Sequence, residues 1–327
     1  MKDMLKEKLF LGIDTSCYTT SVAALDESGV KHFKKMLDVK KGDCGLRQSD
    51  AVFQHIKNLP RLFDELKEKV TFSDYEKIVV SVSARPRNIE NSYMPVFLAG
   101  QSFAKVIADV LSAEYLEVSH QDGHIMAAIH SCDAYDLLKE PFLTYHMSGG
   151  TTELLLVRFD GKGFLCDIVG GTKDIPAGQF IDRIGVQMGL DFPCGKYIDA
   201  IATEYSGKKP KVKTCVSDCF INFSGEETRY RRLLEDGAEK EEVAYCVMNC
   251  IAESVRKSVI QAKEKYGVQK VLMVGGVSSS RFIRNFFADV QDVYFAAPEL
   301  STDNAVGVCK MGERIFYILG NCAFSSI

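Results

Sequence analysis

The sequence predicts an α/β protein built from two related lobes. The chain has 327 residues, which is more than one small domain needs. Short apolar strands alternate along it with segments whose apolar residues recur at the helical period. A strand–turn–strand pattern near the start returns in the middle of the chain, each copy followed by helices. We therefore expect two duplicated lobes that face each other across a cleft.

The first copy begins with an apolar run at 9–14, a polar turn and a second run at 21–25, which together predict a hairpin. Apolar residues at helical spacing predict a helix over 49–70. A buried strand at 77–82 and a helix rich in small residues at 96–111 complete this lobe.

The second copy begins with a strand at 142–147, a turn that contains two glycines and a strand at 151–157. A later strand over 270–277 ends at a glycine pair and leads into a helix. We expect residues 1–115 to form the N-terminal lobe, with the C-terminal helix 304–327 packing back on it. We expect 116–303 to form the C-terminal lobe, which carries the metal and nucleotide site.

Charge and composition restrict the partners. The chain has 40 Lys and Arg against 44 Asp and Glu, so nucleic-acid contact would need a local patch rather than bulk charge. Basic clusters at 208–213 and 229–232 are either solvated surface or RNA backbone contacts. There is no apolar run long enough to span a membrane, no signal-peptide pattern and no disulfide framework among eleven scattered cysteines, so we expect a cytoplasmic protein without a membrane partner.

Two of the six histidines are spaced for metal binding. His120 and His124 lie at i and i+4, so a helix places both imidazoles on one face. Gln121 stands where a zinc protease has its catalytic glutamate, which excludes that class. The alternative is a pair of core or solvent-facing histidines. Asp303 is a candidate third ligand, or else the N-cap of the last helix.

Glycine-rich turns form a second set of candidates. Ser148-Gly149-Gly150 offers backbone N–H groups to phosphate oxygens, and Gly275-Gly276 permits close backbone approach. Asp182 and Asp199 carry carboxylates suited to ribose hydroxyls, and Gly195 lies between them. Neither GxxxxGK[ST] nor GxGxxG occurs, so a nucleotide site here would not be of those types.

These segments together resemble the TsaD/Gcp family of tRNA threonylcarbamoyl transferases. The resemblance covers almost the whole chain and keeps the family's order. Its carriers are 12–17, His55 with Pro60, the His120 and His124 pair, 148–150, Ala177-Gly178 with Asp182, 189–195, 223–225, 275–277 and the Pro-Glu-Leu-x-Thr302-Asp-Asn304 segment.

The resemblance implies an actin-, sugar-kinase- and Hsp70-like fold with a nucleotide-binding cleft. It implies transfer of the threonylcarbamoyl group from threonylcarbamoyl-AMP to N6 of adenosine 37 of tRNA, together with companion proteins. It also implies one divalent metal ion, iron or zinc, on His120, His124 and Asp303. The residues implied to hold threonylcarbamoyl-AMP or ATP are Ser148, Gly149 and Gly150 at the phosphate, Asp182, Gly195 and Asp199 at the nucleoside, and Gly275, Gly276 and Ser280 at the adenine.

The chain departs from the family's pattern at several polar positions. Tyr18 and Thr19 replace two acidic residues, and Thr151, Gln179 and Ser280 replace a histidine, a glutamate and an asparagine. A longer, charged and aromatic segment, 85–95, replaces Gly-Pro-Gly-Leu. A divergent paralogue is therefore the alternative interpretation. It would be either a carbamoyl transferase or ATPase with another acceptor, or a non-catalytic nucleotide-binding assembly subunit.

Overall fold

A computed structural model describes residues 6–39, 46–300 and 303–324 of the chain. They divide into two compact units. The first unit contains the described residues up to Asp133, then Phe159–Leu165 and the segment from Asp303 onward, and the second contains Ala134–Arg158 and 166–300. This division differs from the expected boundary at 115/116, because the helix that carries His120 and the segment that carries Asp303 both group with the first unit.

The elements follow one another in chain order. Up to residue 131 they are β1 (Lys6–Thr15), β2 (Thr19–Asp26), β3 (Gly29–Met36), α1 (Gln48–Lys67), β4 (Tyr75–Arg85), α2 (Val96–Val110), β5 (Glu114–Ser119) and α3 (His120–Ser131). They continue with β6 (Phe142–Met147), β7 (Thr152–Phe159), β8 (Phe164–Thr172), α4 (Ala177–Gln187), α5 (Gly195–Glu204), β9 (Val216–Ser217), β10 (Phe220–Ile221), α6 (Ser224–Glu235), α7 (Lys240–Tyr266), β11 (Val271–Val274), α8 (Arg281–Phe286), β12 (Val293–Phe295) and α9 (Val306–Phe324).

The sheet of the first unit has the strand order β3-β2-β1-β4-β5. The predicted hairpin is present, since β1 pairs antiparallel with β2, and β4 pairs parallel with β1. Side chains of β1 alternate between two covered faces. Leu9, Leu11 and Ile13 join a core cluster that also contains Leu59 and Leu62 of α1, whereas Gly12 faces α9. Helices therefore cover both sides of the central strand.

The sheet of the second unit repeats this plan. Its strand order is β12-β11-β6-β7-β8-β10-β9. The run β8-β7-β6-β11-β12 has the same order as β3-β2-β1-β4-β5, with a short pair of strands added at one edge. The β6–β7 hairpin matches the β1–β2 hairpin, and both are antiparallel. The predicted duplication within an α/β fold is confirmed.

Helices α3 and α9 cross at a pair of glycines in the first unit. A Cβ atom added to Gly307 would lie 1.8 Å from the carbonyl oxygen of Gly123 and 2.8 Å from the backbone nitrogen of Ala127. The two backbones therefore approach as closely as glycine permits. This crossing fixes α3 relative to the start of α9. None of the helices in the described residues combines the length and apolar character needed to cross a bilayer.

Candidate metal centre and nucleotide pocket

Helix α3 begins with a capping box directly beside the candidate ligands. Ser119 Oγ accepts a hydrogen bond from the Asp122 backbone N–H at 3.0 Å, and the Asp122 carboxylate accepts one from the Ser119 N–H at 2.8 Å. Such reciprocal bonds satisfy two N–H groups that the first helical turn leaves unpaired. The cap starts the helix at His120, so the first two turns hold His120 and His124 in a fixed register.

The three predicted ligands come together in the first unit. The Nε2 atoms of His120 and His124 are 3.0 Å apart. The Asp303 Oδ1 atom lies 3.1 Å from His124 Nε2 and 3.5 Å from His120 Nε2. One ligand atom from each residue falls within 4.8 Å of the others. Helix α3 supplies the imidazoles and the segment before α9 supplies the carboxylate.

Further side chains of the first unit orient this triad. His120 Nδ1 donates to the fully buried Asp14 carboxylate at 2.9 Å, which leaves His120 Nε2 facing Asp303. Ser16 Oγ donates to Asp303 Oδ2 at 2.6 Å and leaves Oδ1 for the histidines. The Phe97 ring packs against the His120 ring with centroids 5.8 Å apart. Asp14 and Ser16 lie at and just beyond the end of β1, and their position after an apolar strand is the signal that could have singled them out.

The carboxylates make this site strongly negative. Burial alone lowers the pKa of His120, but the charges of Asp14 and Asp303 and their hydrogen bonds outweigh it and raise the pKa to about 10. Burial alone raises the pKa of Asp303, but hydrogen bonds from His120 and His124 hold it well below its usual range. The potential that favours a proton on the imidazole equally favours a cation among these three residues.

The N-cap of the last helix is Asn304 and not Asp303. Asn304 Oδ1 accepts from the backbone N–H groups of Val306 at 3.0 Å and Gly307 at 3.3 Å, so Asn304 caps α9. Asp303 is thereby left to face His120 and His124. Thr302, a further carrier of the resemblance, lies outside the described residues.

The residues present fit a transition-metal ion. Two imidazole nitrogens and one carboxylate oxygen form a donor set that suits iron(II) and zinc. The hydrogen bond from His120 Nδ1 to Asp14 is the usual outer partner of a metal-bound imidazole. A carboxylate oxygen of Asp14 is also buried without a hydrogen-bond partner in the described part of the chain. A nearby cation would offset the cost of burying that charge.

The second unit contains a cavity of about 340 Å³ lined by most of the predicted nucleotide-binding residues. The predicted residues on its wall are Gly149, Asp182, Gly195, Asp199, Gly276 and Ser280. Ser148, Gly150 and Gly275 were predicted with them but are not among its lining residues. Residues that sequence analysis missed include Lys196 and Met248.

Two residues predicted to contact the nucleotide are committed to capping α8. Asp199 accepts hydrogen bonds from the Ser280 hydroxyl and from the backbone N–H groups of Arg281 and Phe282, the last two at 2.9 Å. Ser280 Oγ in turn accepts from Ile283 N at 3.2 Å. Both residues line the cavity, yet their polar atoms already have partners. Asp182 differs, because among the described residues its Oδ1 alone is engaged, by the Cys194 N–H at 2.7 Å.

A second cavity of about 750 Å³ adjoins the first and shares Gly149 and Asp182 with it. Its wall includes Gln179, one of the departures from the family pattern, and the exposed ring of Phe192.

Arg183 and Arg231 flank the buried Glu227 at 3.6 and 3.7 Å. Part of the predicted basic cluster at 229–232 is thus neutralised, since Arg229 also pairs with Glu226.

The family model described as TsaD, tRNA N6-adenosine threonylcarbamoyltransferase, matches residues 39–308 of this chain. The chain belongs to the TsaD family. Two relatives that carry the same name match nearly the whole chain. The protein of Sulfurihydrogenibium sp. (strain YO3AOP1) is 30% identical over 326 residues, covering 94% of this chain and 90% of its own length. The protein of Staphylococcus aureus (strain bovine RF122 / ET3-1) is 27% identical over 331 residues, covering 96% and 93%.

Solved structures support the fold at lower sequence similarity. HypF of T. kodakarensis superposes with a TM-score of 0.53 at 12% identity, covering 97% of this chain and 48% of its own. At this identity the likeness shows the fold alone, and the chain spans about half of HypF. The predicted actin- and Hsp70-like fold class of this TsaD-family chain is confirmed.

Proposed function

We propose that this TsaD-family chain transfers the threonylcarbamoyl group of threonylcarbamoyl-AMP to N6 of adenosine 37 in tRNA. The observation that carries the proposal is the convergence of His120, His124 and Asp303 with Asp14 behind them. A subunit that only assembles with others needs no such pair of carboxylates, one of them fully buried, around two imidazoles. We further propose that the reaction takes place in the cytoplasm together with companion proteins of the family's complex.

The cavity of the second unit suits the nucleotide part of the donor. Asp182 Oδ2 is the oxygen we assign to a ribose hydroxyl, because Oδ1 already holds the loop before α5. Helix α4 begins directly against the 148–150 turn, since a Cβ on Gly178 would lie 2.5 Å from the Cα atom of Gly149. The helix N-terminus and the N–H groups of the turn both favour a phosphate there.

The reaction itself is acyl transfer from a mixed anhydride. The N6 amino group attacks the carbamoyl carbon, and the bond between that carbon and the phosphate oxygen breaks. AMP departs with the bonding electrons, and N6 loses one proton to solvent. Because AMP is a good leaving group, holding donor and acceptor in place contributes more than a strong base would.

A metal ion bound by the triad would act as a Lewis acid toward the donor's carbonyl or phosphate oxygen. The chain's own residues have defined tasks in that arrangement. Asp14 keeps the His120 ring in the tautomer that presents Nε2, and Ser16 keeps Asp303 turned toward both histidines.

A reconstituted transfer assay tests the proposal. The purified chain, its companion proteins, threonylcarbamoyl-AMP and tRNA are incubated, and the digested tRNA is examined by mass spectrometry for threonylcarbamoyladenosine. We expect His124→Ala to lose both product and bound metal, as measured by elemental analysis. His130→Ala, on the same helix but outside the triad, is the matched control and should retain both.

Three outcomes would contradict the proposal. Equal metal content in wild type and His124→Ala would reject the metal site. Product on a small-molecule acceptor but none on tRNA would instead support the divergent transferase. Normal transfer by His124→Ala would show that the triad has no part in the chemistry.

A further inference from the structure

The segment 85–95 forms a loop in the first unit that is closed by its own hydrogen bonds. It connects the end of β4 to the start of α2. The Arg87 N–H donates to Ser92 Oγ at 3.0 Å, and the Ser92 N–H donates to the Ile89 carbonyl at 3.2 Å. The Arg85 guanidinium donates twice to Asn88 Oδ1, at 3.2 and 2.9 Å. The loop is therefore held by its own hydrogen bonds.

The same loop is anchored to the turn of α3 that carries the metal ligands. Asn88 Nδ2 lies 2.7 Å from each oxygen of Asp122, the residue that caps α3. The backbone N–H of Gln121, the residue after His120, donates to the Pro86 carbonyl at 3.0 Å. Just past the other end of the segment, Phe97 packs on the His120 ring. Both ends of the segment are thus fixed next to a metal ligand.

This anchored loop exposes two large side chains of apolar character, a type of residue that is usually buried in folded proteins. Ile89 and Tyr93 each keep 62% of their surface exposed, and Arg87 is exposed as well. A ring, an aliphatic side chain and a guanidinium are the groups on which proteins stack unpaired RNA bases and hold the adjoining phosphates. Exposed apolar groups on a rigid support next to a reaction centre indicate a binding surface.

We infer that Arg87, Ile89 and Tyr93 form an acceptor platform on which an unpaired base of the RNA beside the reacting adenosine stacks. The inference rests on the proposed transfer to tRNA and adds the residues that select the acceptor. Tyr93 supplies the stacking face, Ile89 extends it, and Arg87 contacts the neighbouring phosphate. None of the three platform residues belongs to the triad or lines the cavity of the second unit, so we expect changes at them to alter acceptor binding and to leave metal and nucleotide binding unchanged.

Binding of an RNA hairpin tests the acceptor platform without requiring chemistry. The probe is a fluorescein-labelled hairpin with the anticodon loop of a tRNA that reads ANN codons, titrated with the full chain in its complex. We expect Tyr93→Ala to raise the Kd roughly tenfold, since a stacked base loses its partner. Tyr93→Phe should restore affinity, because stacking requires the ring and not the hydroxyl. Arg87→Ala should lower the slope of log affinity against log salt by about one.

Ile89→Ala should weaken hairpin binding, whereas Ile168→Ala, at an isoleucine of the second unit that is 53% exposed against 62% for Ile89, is its control and should bind as wild type. Metal content must be unchanged in Tyr93→Ala, which shows that the loop still holds α3. If wild type modifies tRNA while Tyr93→Ala binds the hairpin normally, the platform is refuted and the proposed function stands. If wild type binds the hairpin but forms no product, the proposed function fails instead. Loss of a companion protein with unchanged hairpin affinity would also overturn the inference, because the loop would then be a protein contact.

Discussion

The glycine crossing of α3 and α9 allows a sharp test of how the metal site is held. In Gly307→Ala the new Cβ would lie 1.8 Å from the Gly123 carbonyl oxygen, where real Cβ atoms essentially never come within 3.0 Å. The obstructing atoms are backbone, so the helices must separate by more than an ångström. Metal–ligand distances tolerate only about 0.2 Å of change. Because α3 carries both histidines and Asp303 precedes α9, we expect Gly307→Ala to lose most bound metal.

The assay is metal content per chain by elemental analysis, combined with thermal unfolding. Overpacking at such a contact costs about 1–3 kcal/mol of the free energy of unfolding, so the variant should fold with a lowered Tm. Gly123→Ala is the matched comparison on the same crossing and should be milder, since its Cβ meets a Val308 methyl group at 2.9 Å. Gly225→Ala enters open space and should leave metal and stability intact. A folded Gly307→Ala protein with wild-type metal content would refute the reasoning.

Three further predictions concern stability and nucleotide binding. Burial, aided by Lys34, lowers the pKa of His32 to about 4, so the folded state resists protonation. The free energy of unfolding from denaturant titrations should fall by about 3 kcal/mol as the pH drops from about 6.5 to 4, and this part of the pH dependence should be missing in His32→Gln. Asp122→Ala removes the side-chain half of the α3 capping box and an acceptor of the Asn88 amide and of the Phe164 N–H, so thermal unfolding should show a loss of roughly 2 kcal/mol, and an unchanged Tm would contradict this role. Asp182→Ala should weaken ATP binding in calorimetry about tenfold if its carboxylate holds a ribose hydroxyl, whereas equal affinity would exclude it from the nucleotide site.

Local sequence patterns predicted most of the secondary structure and two of the three candidate metal ligands. The i, i+4 spacing of His120 and His124 was enough to place both imidazoles on one helix face, because helical geometry is local. The helices at 48–67 and 96–110 also follow their apolar period. Asp303 was a candidate from its polar turn, with an N-cap as the alternative, and only the family resemblance favoured the ligand role, since no local pattern reports a contact between residues so far apart in sequence.

Some polar residues have a structural role that the sequence analysis did not foresee. Asp199 and Ser280 were predicted as nucleotide ligands, and both line the cavity, but both also satisfy N–H groups at the start of α8. A sequence cannot distinguish the two uses because a ribose hydroxyl and a helix N-terminus both need an acceptor. The sequence analysis did not name Asp14 as a site residue. Its role depends on a hydrogen bond with His120, which is distant in sequence.

The separation of 179 residues between His124 and Asp303 has a consequence for biosynthesis. The strands of the second sheet are complete at Phe295, before Asp303 has been translated. Helix α3 and Asp303 both belong to the first unit, so that unit can bring the carboxylate to the histidines only after the segment before α9 has been synthesised. We therefore expect a cation bound by the triad to enter only once α9 has docked on α3.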